Sequence, residues 1–99
     1  MPAATRIGDA DVSHCSGMTR NEGSSNVYVN NIPWSREGDH NTGHLKPPVP
    51  CVGHTAPIAS GSTSVKVNTK GAGRVGDSIS GCTLVAAGSS NVFAGGAAT

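Results

Sequence analysis

Arg6-Ile7-Gly8-Asp9, Arg36-Glu37-Gly38-Asp39 and Arg74-Val75-Gly76-Asp77 are one phrase written three times. Five residues beyond each Asp stands a side chain able to bind a transition metal: His14, His44 and Cys82. One such phrase carries little information. Three with the same offset read as an internal repeat that delivers one ligand per unit.

A second phrase, Gly-Ser-x-x-Val, recurs at Gly23–Val27, Gly61–Val65 and Gly88–Val92. Gly23 precedes Arg36 by 13 residues, and Gly61 precedes Arg74 by 13. Two units are therefore complete, Gly23–Asp39 and Gly61–Asp77. The third is split, its second half opening the chain at Arg6 and its first half closing it at Gly88. Joining the halves requires the terminal segments to pair, which closes a ring and removes open sheet edges.

The phrase Val27-Tyr28-Val29-Asn30 is repeated in register as Val65-Lys66-Val67-Asn68. Alternation predicts short strands with Val27 and Val29 on one face and Tyr28 on the other. Asn30-Asn31 predicts a tight turn, because Asn tolerates left-handed backbone angles. The return strands are expected over 32–36 and over Ala72-Gly73-Arg74, and a closing strand over 88–94 with Val92 inward and Phe93 outward or at the base. No segment shows a helical period. Gly38 to Gly61 spans 23 residues, against 15 from Gly8 to Gly23 and 12 from Gly76 to Gly88. That insertion is proline-rich and contains Cys51 and His54. Within each Arg-x-Gly-Asp phrase, Gly is expected to supply an unusual backbone angle and Asp to bind its own turn. An exposed Arg–Asp pair would add only roughly 0–1 kcal/mol.

Residues 1–99 are expected to form one domain. With 14 Gly and one each of Trp, Tyr and Phe, its core is small, and such domains often need a staple. Seven basic and six acidic residues give no footprint for nucleic acid. No apolar run approaches the roughly 20 residues that span a bilayer, and the first residues lack a signal-peptide stretch. The expectation is synthesis in the cytoplasm without a signal peptide. Three cysteines argue against a complete disulfide framework.

The staple is read as a metal. Structural zinc takes four tetrahedral Cys and His ligands. The equivalent loops supply His14, His44 and Cys82, and the insertion supplies His54 as the fourth. Cys51, three residues before His54, is the alternative fourth ligand. Cys15 and His40 fall outside the repeated register. A closed set of four is structural, not catalytic. Zinc is the expected ion, and iron is the alternative, since imidazole and thiolate suit several metals.

Taken together, Pro2-Ala3-Ala4-Thr5-Arg6-Ile7-Gly8-Asp9, the Gly-Ser-x-x-Val-x-Val-Asn segments and the Gly-Asp-x-x-x-x-His/Cys segments resemble the PAAR-repeat family. The likeness runs from Pro2 to about Gly95. It departs from the family at the inserted Thr5 and at Trp34, where the family favours Ala. The resemblance implies an all-β fold: a small pointed cone of three pseudo-three-fold β-hairpin repeats, with the metal at its apex. It implies that the base caps the trimeric β-helical spike of a contractile injection machine, either a phage tail or a type VI secretion system. The tip would then sit on a virion tail or be secreted by the type VI apparatus, helping to pierce the target envelope in transient contact with its membrane. Effector cargo on separate chains is a further partner of such tips, whereas nucleic acid is not. On this reading the chain is not an enzyme. Two other classes remain open: a small zinc-dependent envelope-degrading hydrolase, and a metal-free β-repeat adhesin.

Overall fold

The computed structural model describes residues 1–13, 17–46 and 52–95. Among the described residues there is no helix, and regular structure is confined to short antiparallel hairpins and isolated bridges. The fold is all-β. No helix of the described residues is long and apolar enough to cross a membrane.

Three hairpins can be named. β1 (Tyr28–Val29) pairs with β2 (Ile32–Pro33), β3 (His44–Lys46) with β4 (Val52–His54), and β5 (Lys66–Val67) with β6 (Lys70–Gly71). The two-residue turns of the first and last hairpins are left-handed at both positions. Asn30 and Asn31 have φ of 53° and 65°, and Asn68 and Thr69 have 53° and 70°. Such turns match the twist of the strands they join. The side chains alternate as the sequence predicts: Val29 and Val67 are buried, while Tyr28 and Lys66 are exposed. In the closing segment Phe93 is exposed as expected, but Ala94, rather than Val92, is the buried residue.

Two sequence expectations need correction. The return arm of the third hairpin begins at Lys70, earlier than Ala72, because the Asn68-Thr69 turn reverses the chain within two residues. Residues 40–60 are not simply a connection, since they hold the β3–β4 hairpin.

The segments that carry the repeated Arg are bonded to one another in a cycle. Thr5 N–H donates to the Gly73 carbonyl (3.1 Å), Gly73 N–H to Ser35 (3.0 Å), and Ser35 N–H back to Thr5 (3.0 Å). The bridges Arg6↔Trp34, Arg36↔Ala72 and Ala4↔Arg74 follow the same cycle. The chain ends also pair, with Ala3 opposite Phe93 and Ala94 N–H donating to the Pro2 carbonyl. Close backbone approach explains Gly73: a Cβ there would lie 2.5 Å from the Ser35 carbonyl oxygen.

Each Arg-x-Gly-Asp phrase is an identical clamp. Gly8, Gly38 and Gly76 have φ near +90° (92°, 90° and 91°), which favours glycine. Asp9 Oδ2 accepts from the backbone N–H and Nε of Arg6, while Oδ1 accepts from its Nη2. Asp39 does the same for Arg36, and Asp77 for Arg74. The pairs are not the exposed ones the sequence suggests. Side-chain exposure is 17% and 14% at Arg6–Asp9, 14% and 6% at Arg36–Asp39, and 4% and 4% at Arg74–Asp77. Cyclic pairing of three strands draws the clamps inward, something local spacing does not report.

The serines of the other repeated phrase are turn anchors. Ser24, Ser62 and Ser89 each accept from the N–H groups two and three residues ahead. Each hydroxyl then donates to a distant acceptor: Asn68 Oδ1, the Gly95 carbonyl and Asn30 Oδ1, respectively. The apolar core lies in two clusters. Val67, Ala72 and Ala94 form one, with Val27, Trp34 and Val65 against it. Ala56, Ile58, Ile79 and Val85 form the other, and Cys82 packs on it.

Candidate metal centre

The β3–β4 hairpin places two histidines opposite each other, because His44 opens β3, His54 closes β4, and the register pairs them directly. Their rings meet edge to face with centroids 4.3 Å apart. Cys82 comes from the third Arg-x-Gly-Asp loop. There Ile79 N–H donates to the Thr83 carbonyl and Cys82 N–H to Ile79, with Gly81 at φ 61° making the turn. The apolar cluster under Cys82 fixes that loop from below.

The donor atoms converge. Cys82 Sγ is 3.2 Å from His44 Nε2 and 3.4 Å from His54 Nε2. His44, His54 and Cys82 offer ligand atoms all within 4.8 Å of one another. Tetrahedral zinc with ordinary bond lengths separates its N and S ligands by roughly 3.5 Å, so the two observed separations fit two edges of such a tetrahedron. The tautomer fits as well. His44 Nδ1 lies 2.9 Å from the Thr42 carbonyl, which can only accept, so Nδ1 carries the proton and Nε2 is the nitrogen with a lone pair. A ligating histidine is commonly oriented by such a bond on its other nitrogen. The group can therefore hold a metal ion.

Three of the four ligands expected from the sequence, His44, His54 and Cys82, are thus brought together. His14 lies outside the described residues, as do Cys15 and the alternative ligand Cys51. His40 stays out of the cluster, and its Nδ1 lies 2.9 Å from Glu22 on the surface.

Sequence reasoning missed the buried polar cluster next to these ligands. Arg20 is 1% exposed. Its Nη1 donates to Asp11 Oδ2 (2.7 Å), its Nη2 to the Asp39 carbonyl (2.5 Å), and its Nε to Ser35 Oγ (3.3 Å). Asn41 Nδ2 donates to the same Asp11 oxygen at 3.2 Å, and Asn41 Oδ1 accepts from Ala56 N–H at 2.9 Å. Asp11 Oδ1 is buried without a donor among the described residues. Burial raises the Asp11 pKa above its ordinary value, opposed by the Arg20 charge and hydrogen bond and by the Asn41 bond. The one signal in the sequence was that Asp11, Asn41 and Ile79 each stand two residues beyond a repeated Asp.

Neither protein-family models nor curated proteins give a match to this chain.

Proposed function

We propose that this chain is a metal-stapled tip, shaped as a pseudo-three-fold cone, that caps a trimeric β-helical spike in a contractile injection machine of phage-tail or type VI type. The observation that carries the reading is the cyclic bonding of Thr5, Ser35 and Gly73. A ring of three bonded segments supports a pseudo-three-fold arrangement, which is what a monomer would need to sit on the end of a three-fold trimer. Two further observations support it. The molecule is elongated, 39 Å along its principal axis against 25 and 21 Å across. The metal ligands come from the β3–β4 hairpin and the loop after the third clamp. On this reading the ion is zinc, the fourth ligand is His14, and membership of the PAAR-repeat family follows.

The ion, when bound, would cross-link the β3–β4 hairpin to the third loop. His44 and His54 would contribute neutral imidazoles through Nε2, and Cys82 a thiolate. The Thr42 carbonyl holds the His44 ring in place by accepting a hydrogen bond from Nδ1–H.

The test is a mixture of the metal-loaded chain with a trimeric β-helical spike protein, followed by native mass spectrometry and cryo-electron microscopy. One chain per trimer, with density on the spike end, is the expected result. Absence of any complex would overturn the reading. X-ray absorption on the same sample separates the enzyme alternative. Four protein ligands leave no place for an activated water, whereas three ligands plus water would favour a hydrolase. Elemental analysis distinguishes zinc from iron, and a chain that binds neither would favour the adhesin.

A further inference from the structure

The shell next to the metal ligands contains two sets of three equivalent positions, filled in two different ways. Two residues beyond Asp9, Asp39 and Asp77 come Asp11, Asn41 and Ile79. Their N–H groups donate alike to the carbonyls of Met18, Ala56 and Thr83. On the return arms, Arg20, Ile58 and Val85 each exchange the same pair of bonds. Their carbonyls accept from Gly8, Gly38 and Gly76, and their N–H groups donate to Asp9, Asp39 and Asp77. Three of the six are aliphatic and packed together: Ile58, Ile79 and Val85. The other three are Asp11, Arg20 and Asn41, all buried.

Stability alone does not explain the polar half. Aliphatic side chains evidently fit this backbone, since equivalent positions carry them. Replacing a buried ion pair by apolar residues of similar volume is often neutral or stabilising. Moreover, Asp11 Oδ1 has no donor among the described residues, an arrangement that normally weakens a fold. What the polar half does have is a set of bonds to the segments that lead into the ligands. Asn41 stands three residues before His44, and its Oδ1 holds Ala56, two residues after His54. Arg20 binds the carbonyl of Asp39, at the start of the arm leading to His44. Asp11 Oδ2 accepts from both Arg20 and Asn41 and so locks the two together.

We propose that Asp11, Arg20 and Asn41 are positioning residues for the metal centre, holding the roots of β3 and β4 at the separation that lets His44 and His54 reach one ion. This rests on the metal reading of His44, His54 and Cys82.

The test replaces the ion pair by apolar residues, Arg20→Met together with Asp11→Leu, in the full chain. Three quantities are measured: the zinc Kd by competition with a chromophoric chelator, the visible spectrum of the cobalt-substituted protein, and the melting temperature of the metal-free form. The expected result is a metal-free melting temperature equal to or above that of the unaltered chain. The zinc Kd weakens about 10- to 100-fold, the range seen when outer-shell partners of metal ligands are lost, and the cobalt bands change shape. A Kd within twofold and an unchanged cobalt spectrum would make the cluster mere packing and overturn the proposal. Should the double variant fail to fold, Asn41→Ala serves the same test, since the hairpin root loses its tie to Asp11. An unchanged Kd there is equally fatal. If the unaltered chain binds no zinc or cobalt, the metal reading itself falls and takes this proposal with it, an outcome distinct from the other two.

Discussion

The three Arg-x-Gly-Asp clamps are chemically identical but differ in burial, so their removal should be graded. Asp77→Ala deletes a carboxylate that accepts Arg74 N–H at 2.7 Å, Nε at 3.2 Å and Nη2 at 2.9 Å, within a pair whose side chains are each 4% exposed. Arg74 keeps its bond to the Gly95 carbonyl but loses the Asp77 carboxylate. Breaking a buried pair by removing one partner costs about 3–5 kcal/mol. Asp9→Ala removes the same three bonds around Arg6 where 17% and 14% of the side chains remain exposed. Water can reach that guanidinium, and the expected loss is about 1–3 kcal/mol. Asp39→Ala should fall between them. A chain of this length holds roughly 5–15 kcal/mol in total, so Asp77→Ala consumes a large part. One kcal/mol moves the melting temperature of a domain this size by about 4–8 °C, which puts the Asp77→Ala shift at no less than about 12 °C. The assay is thermal and urea unfolding of all three variants under identical metal conditions, so that any bound ion contributes equally. Equal losses, or Asp9→Ala as the worst of the three, would refute the argument that burial sets the worth of each clamp.

Gly73→Ala should destabilise by about 1–3 kcal/mol or more through overpacking, because its Cβ would press on the Ser35 carbonyl. Gly43→Ala, with nothing within 4 Å of its Cβ, is the neutral control in the same denaturation experiment. Thr69 is β-branched at φ 70°, a strained combination. Thr69→Gly should therefore raise stability by up to about 1 kcal/mol, net of the chain entropy glycine adds, seen as a later urea midpoint. The pKa of Glu22 is lowered from 4.5, first by the backbone N–H of His40 and then by its ring. A depressed carboxylate stabilises the fold above its unfolded-state pKa and loses that effect as pH falls through the folded value. Glu22→Gln should thus be slightly less stable than the unaltered chain at neutral pH, with the gap closing at acid pH when melting temperatures are compared pairwise.

Much of this was legible in the sequence because the repeated residues have local jobs. Glycine at φ near +90° and aspartate folding back on its own arginine depend only on neighbours, so three copies expose them. Asn30-Asn31 announced its turn for the same reason. His44, His54 and Cys82 were found by equal offset and by the position of the one long insertion. The buried half of the site was hidden because the return arms sit at unequal distances. Arg20 follows Asp9 by 11 residues, Ile58 follows Asp39 by 19, and Val85 follows Asp77 by 8. No alignment by offset puts an arginine in register with an isoleucine and a valine; only the hydrogen bonds do. The β3–β4 hairpin was obscured by Pro47, Pro48, Pro50 and Pro57, which read as loop stiffeners.

The cycle of bonds joining Thr5, Ser35 and Gly73 also bears on how the molecule is made. Thr5 precedes Gly73 by 68 residues. At translation speeds of about 5–20 residues per second, roughly 3–14 s pass between the synthesis of these two positions. Until then the first segment has no permanent neighbour on one side, and no early fragment can rehearse the finished arrangement. Closing the cycle must therefore wait until Gly73 has emerged and proceed through contacts distant in sequence, which is the slow regime for small domains, milliseconds to seconds. The sparse apolar content that makes the core so thin has a benefit at this stage. A waiting chain rich in Gly, Ser and Asn offers little for other chains to adhere to.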